Sequence, residues 1–151
     1  MIRLTLEPID PGAALNAFCQ NRSTTGAVAS FVGLARGEGP VALELQAYPG
    51  FTESEIAGFA EAARNRFALD DVLIIHRHGP IEAGAVIVMV LTASAHRREA
   101  FEACDYLMDY LKSRAPFWKR EPGPGGDRWI EPTARDGADL ARWEPLSDGA
   151  T

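Results

Sequence analysis

The sequence predicts an α+β domain in which helices pack on a mixed or antiparallel sheet. Two observations carry this. Stretches with period-two alternation or dense Val and Ile alternate with stretches whose apolar residues recur at helical spacing. Their order along the chain is β-α-β-β-α-β-β-α-β-β. At 151 residues, 46% hydrophobic and 24% charged, the chain has the length and composition of one globular domain with a real core.

Ile2–Leu6 alternates and predicts a first strand. Asp10-Pro11 then opens a helix, with Asp10 as cap and Pro11 at the first helical position; Leu15, Phe18 and Cys19 form its buried face. Gly26–Leu34 and Val41–Tyr48 are the next strands, and the Gly/Pro-rich loop between them predicts hairpin pairing. Thr52-Glu53-Ser54-Glu55 has the form of a capping box, so a helix follows to about Phe67. Asp71–His78 and Ala85–Ala93 are strands, the second rich enough in Val and Ile to be central. Gly79-Pro80 and Glu82-Ala83-Gly84 connect them. Phe117–Pro122 is extended, Gly123-Pro124-Gly125-Gly126 turns, and Arg128–Glu131 pairs back as a short strand. Residues 1–132 form the domain; residues 133–151 are Ala/Asp/Gly-rich and predict a loosely held tail anchored by Trp143.

The totals exclude several classes. A net charge of −6 argues against nucleic-acid binding, which needs clustered cations. No apolar run approaches the roughly 18 residues of a membrane span, and no signal peptide opens the chain, so the cytoplasm is the expected compartment. Cys19 and Cys104 are too few for a disulfide framework or a zinc site. His76 and His78 share the spacing of one strand face but lack an evident third ligand, so neither a metal nor a cofactor is expected.

The stretch Leu91–Glu121 holds the chemistry. Ser94 can cap a helix that Pro116 ends. Ala100, Phe101, Cys104, Leu107, Met108 and Leu111 make its apolar face; Arg97 projects within that face and Lys112 lies on its margin. Such a half-buried cation needs either a carboxylate partner or an anionic ligand. His96 and Arg97 sit at the helix N-terminus, already the positive end, which suits a bound phosphate. Lys112 is accounted for either as a snorkelling surface lysine or as an active amine. Arg36 stands where a strand gives way to a loop. Together Arg36, His96, Arg97, Lys112 and Lys119 form a candidate anion site.

Several runs then occur in a telling order: Gly33-Leu34-Ala35-Arg36, Leu45-Gln46-Ala47-Tyr48, His76-Arg77-His78-Gly79, Ser94-Ala95-His96-Arg97, Lys112-Ser113-Arg114-Ala115-Pro116-Phe117-Trp118-Lys119-Arg120-Glu121 and Gly126-Asp127-Arg128-Trp129. Over residues 1–132 the chain resembles the catalytic, large-subunit family of the molybdopterin synthases. The resemblance implies an α/β hammerhead fold with a small extra β subdomain. It implies conversion of precursor Z, a cyclic pyranopterin monophosphate, to molybdopterin by installing two sulfurs. It further implies that the sulfur comes from the thiocarboxylated C-terminal glycine of a small ubiquitin-like subunit, and that two small subunits bind one homodimer to give a heterotetramer. Carried over by position, Lys112 is the principal catalytic lysine and Lys119 its neighbour. Leu34, Ala35, Arg36, His96, Arg97, Lys112, Lys119, Arg120 and Glu121 are the implied substrate-binding set, with His96 and Arg97 supplied across the dimer interface.

The chain departs from the family pattern in a short Ala35–Pro40 loop, in Ala35 for a common threonine and in Gln46 for a common glutamate. The Gly123-Pro124-Gly125-Gly126 segment and the segment after Pro132 have no counterpart in that pattern. Two non-enzymatic readings stand beside the enzyme: a scaffold for a ubiquitin-like tail, and a binder of phosphorylated metabolites.

Overall fold

The computed structural model describes residues 1–145. Its centre is the nine-residue strand Val86–Ser94, the β6 of the numbering used below, flanked by antiparallel neighbours on both sides. In chain order the elements are β1 (Ile2–Thr5), α1 (Pro11–Cys19), β2 (Ala27–Leu34), β3 (Leu43–Gln46), α2 (Phe51–Phe67), β4 (Asp71–Arg77), β5 (Gly79–Ile81), β6, α3 (Arg97–Ser113), β7 (Trp118–Glu121), β8 (Arg128–Ile130) and α4 (Ala134–Ala141). They form two four-stranded sheets, ordered β1-β4-β6-β2 and β5-β3-β7-β8. β1 runs parallel to β4, and every other pairing is antiparallel. The α+β class is as predicted.

Strand alternation sorts the first sheet into two buried faces. Val72 and Ile74 of β4 with Val88 and Val90 of β6 face α2 and α3, against Ile56, Ala63, Ala103 and Leu107. Ile75, Met89, Leu91 and Ala93 face the other way and meet Ile9 and Phe18 around α1. β6 is buried on both faces, which is why it lacks polar alternation.

Three local expectations give way. β2 and β3 do not pair as a hairpin: β2 stays with β6, and a register shift at Gly33/Leu34 bends the chain out of the first sheet. β3 then pairs with β5 and β7 in the second. β5 itself lies within the stretch expected to be a mere connection. Gly79, at φ +80°, turns the chain from one sheet into the other, a conformation that favours glycine. Thr52 is not a cap either. It lies inside α2, fully buried, where its hydroxyl accepts from the Tyr48 N–H (2.8 Å) and donates to the Pro116 carbonyl (3.0 Å). Gly50 occupies the cap position with no side chain to offer.

Asp10 caps α1 as expected, accepting from the Ala13 N–H at 3.0 Å. Cys19, however, is exposed, because Phe18 alone takes the buried position at that end of the helix. Cys104 is buried, and burial pushes its thiol up to about 12. The segment after Pro132 is no loose tail as far as residue 145. A capping box between Thr133 and Asp136 starts α4, Leu140 is buried, and Trp143 packs edge-on against Phe67 and Tyr106. Residues 146–151 of the predicted tail lie outside the described residues.

Candidate functional site

Where the last turn of α3 meets the end of β4 and the inner face of the second sheet, a cavity of about 170 Å³ opens. Lys112 lines it from α3, Lys119 from β7 and His76 from β4. Lys112 follows the buried Leu111 and, itself exposed, sits on the rim. Lys119 is placed by strand register: opposite Leu45 on one side and Ile130 on the other, it shares their face of the sheet. Leu43, Leu45, Ile87 and Phe117 make the wall apolar, and Glu131, Thr133 and Asp136 close the far side.

The charges are arranged around these two amines. The Lys119 Nζ lies 3.6 Å from a Glu121 carboxylate oxygen. Burial acts to raise the Asp136 carboxyl, but the hydrogen bonds from Thr133 and the nearby charges of Lys112 and Lys119 outweigh it and hold the group below its ordinary value. His76 is 7% exposed and stacks on Phe117, with ring centroids 4.2 Å apart at 24°. Burial lowers its imidazole to about 4, with the charges of Lys112 and His78 adding to the effect and the Arg77 carbonyl opposing it. The ring is therefore neutral at physiological pH. Two lysines, the carboxylates of Glu131 and Asp136 and a neutral imidazole share a half-apolar space, in which the lysines suit the anionic part of a ligand and the apolar wall a flat part.

The remaining residues of the expected set lie elsewhere in this chain. Arg36 lines a neighbouring depression with Glu38, Val41 and Glu121, so Glu121 stands between it and Lys119. Leu34 is exposed at the end of β2, while Ala35 is buried and exchanges backbone hydrogen bonds with Gly84 and Ala85. Arg120 points to the opposite face of β7 from Lys119, pairs with Glu44 and Asp127, and lies over the Trp129 ring. His96 and Arg97 are both exposed. Fifteen residues of α3 separate Arg97 from Lys112, about 22 Å at the helical rise. Arg97 is thus not half-buried by its own helix, and Phe101, expected on the apolar face, is 65% exposed. Nor does Ser94 cap α3: it ends β6, buried, and His96 takes the cap position without a side-chain bond.

Sequence reasoning missed His76 and Asp136. His76 was visible only as half of a possible metal pair, but the pair divides: His78 lies beyond the end of β4 and lines a groove with Trp118 and Trp129 instead. Asp136 had a usable signal in Thr133-x-x-Asp136, a capping pattern three residues apart. Among the described residues no group of three or more His, Cys, Asp or Glu gathers to hold a metal ion. No helix among them is long and apolar enough to cross a membrane.

Fold and cavity together define an α+β protein that brings two lysine side chains to one cavity. Comparison with known proteins gives the family. The model of the family described as MoaE protein matches residues 4–114. The chain is 62% identical over 146 residues to the molybdopterin synthase catalytic subunit of Caulobacter vibrioides, covering 95% of this chain and 97% of that one. It is 49% identical over 139 residues to the subunit of the same name from Cereibacter sphaeroides, covering 91% and 95%. The structure of a molybdopterin biosynthesis MoaE protein from Burkholderia ambifaria superposes with a TM-score of 0.81 at 42% identity, covering 95% of this chain and 97% of that one. The chain belongs to the MoaE family.

Proposed function

We propose that this chain is a molybdopterin synthase catalytic subunit, converting precursor Z to molybdopterin with sulfur from the thiocarboxylated C-terminus of a small ubiquitin-like subunit. One observation of the fold carries the reading: Lys112 and Lys119, from different elements, line one cavity. Relatives with this name align over nearly the whole chain. The rim lysine, Lys112, acts as acid/base or transient covalent partner to the substrate, and Lys119, paired with Glu121, orients substrate or the incoming thiocarboxylate. The proposed chemistry uses neither cysteine: Cys19 and Cys104 both lie outside the lysine cavity, and Cys104 is buried and held as a thiol.

Leu34, Ala35, Arg36, Arg120 and Glu121, which lie outside the lysine cavity itself, make up the rest of the proposed substrate-binding set. His96 and Arg97, at the far end of α3, complete the site of a second copy in a homodimer, which carries two small subunits as a heterotetramer. The reaction runs in the cytoplasm.

Reconstitution tests this. Purified protein, thiocarboxylated small subunit and precursor Z are combined, and the dithiolene product is oxidised to its fluorescent derivative. Product is expected with the native chain and lost in Lys112→Ala. A stable complex that makes no product would favour a scaffold for the ubiquitin-like tail instead.

A further inference from the structure

His76 has a hydrogen-bonding position that nothing in the protein uses. Its Nδ1 lies 2.8 Å from the Arg77 carbonyl oxygen. A carbonyl only accepts, so Nδ1 carries the proton and donates, and the neutral ring is left with a bare lone pair on Nε2. No hydrogen bond within the described residues engages that second nitrogen, while the ring lines the lysine cavity. The ring cannot easily swing away. It is more than nine-tenths buried, stacked on Phe117, and rooted at the end of β4, where it is paired in register with Leu4 and Val88. An acceptor fixed in this way beside two ammonium groups is unusual in an otherwise anion-seeking site. The cations hold the negative part of a ligand, and the imidazole reads whether an N–H or O–H donor lies next to it.

We propose that His76 is a substrate-binding residue of the lysine cavity, its Nε2 accepting a hydrogen bond from an N–H or O–H of the ligand whose anionic part rests on Lys112 and Lys119. This rests on the proposed function and deepens it, since a pterin ring system carries such N–H donors and its phosphate the negative charge. The selection is chemical. An anion without a donor at that position leaves Nε2 buried and unpaired against the ligand, at a cost in affinity. The Arg77 carbonyl and the charges of Lys112 from α3 and His78 beyond β4 act on the ring, and Lys119 from β7, Glu131 after β8 and Asp136 from α4 line the same cavity.

The test combines kinetics with a direct view of the ring. His76→Phe keeps a flat though slightly larger ring to stack on Phe117 and removes both nitrogens, with the Nδ1 bond to the Arg77 carbonyl lost alongside the free Nε2 acceptor. In the reconstituted heterotetramer its KM for precursor Z should rise roughly tenfold, the loss of one hydrogen bond, with the dependence on thiocarboxylated small subunit unchanged. A KM equal to that of the native enzyme overturns the proposal. Should the variant fail to fold, ¹⁵N-histidine NMR of the native chain decides. Nε2 must be unprotonated in the free protein and must shift on saturation with precursor Z. A proton found on Nε2, or no response at saturation, also overturns it. If the native enzyme makes no product, it is the proposed reaction that fails, and the NMR titration still reports whether His76 meets the pterin.

Discussion

The two sheets are held together by different physics. In the first, the strands are four, seven, nine and eight residues long, and both faces are covered, by α2 and α3 on one side and α1 on the other. In the second they are only three, four, four and three residues, with a small core of Ala35, Ala42, Leu43, Leu45 and Ile81. What the second sheet lacks in apolar area it supplements with ion pairs, Lys119–Glu121, Arg120–Glu44, Arg120–Asp127 and Arg128–Glu121. The cavity lies where the two meet. The long sheet gives it a floor in His76 and Ile87, α3 adds Leu111 and Lys112, and the short sheet gives it Lys119. Stability and chemistry are thereby separated in space, so substitutions in the two regions should differ in kind.

The largest effect is expected at Lys112. Because the side chain is exposed, Lys112→Ala should leave the thermal unfolding midpoint near that of the native chain, while product formation falls by about a hundred- to ten-thousand-fold. An equal loss of stability and activity would erase the distinction between the regions. The converse case is Ile74→Ala in β4, where the side chain is fully buried among β6, α2 and α3. Denaturant unfolding should show a loss of about 2–5 kcal/mol. The fraction that remains folded should turn over normally.

The same contrast decides what was legible in the sequence. α3 is written in a helical apolar period and β4 and β6 in continuous apolar runs, because burial of a long element demands apolar residues at many positions at once. β5 is not: its Gly79-Pro80-Ile81 looks like a turn and becomes a strand only because β3 offers it a partner. For β2 and β3 the separate strands are legible, but their division between sheets depends on the irregularity at Gly33/Leu34, which no period encodes. α4 was hidden by Gly137 and by short polar residues, although its cap pattern was present. Lys112 and Lys119 are legible as candidates through the ordered motifs. Their meeting in one cavity depends on the register of β7 against β3, which the motifs do not contain.

Thr52 ties the regions together. It bridges the start of α2 to Pro116, two residues before β7, through the Tyr48 N–H and the Pro116 carbonyl. Thr52→Val keeps the volume and removes two hydrogen bonds made by a fully buried hydroxyl to partly buried partners, so a loss on the order of 1–3 kcal/mol is expected in denaturant unfolding. His76 supplies a pH-dependent counterpart. Its folded value, about 4, lies below the ordinary 6.5, so the unfolded chain binds the proton first on acidification. The stability from this residue is complete above 6.5 and is lost as pH falls toward 4. Asp71 and Asp136, also held low, belong to a more acidic window, below their ordinary 3.8. Between pH 7 and 5 the unfolding midpoint should therefore fall, and His76→Phe should flatten that slope.

The smallest effect is expected at Arg120, and it sharpens the comparison most finely. Its guanidinium is raised further by the hydrogen bond and charge of Glu44, with Asp127 adding to it, so the residue looks like a keystone of the short sheet. Both partners of the Arg120–Glu44 pair are 36% exposed, however, and pairs open to water contribute about 0–1 kcal/mol. Arg120→Ala should move stability by less than about 1 kcal/mol, and added salt should shrink even that difference. Activity then separates two roles for the same side chain. In this chain Arg120 faces away from Lys119, beside Trp129 and the groove that also holds His78. A KM for precursor Z that rises in Arg120→Ala with stability unchanged would place the substrate across both faces of β7. An unchanged KM would confine the substrate to the lysine face and leave Arg120 as a solvated strap on the sheet.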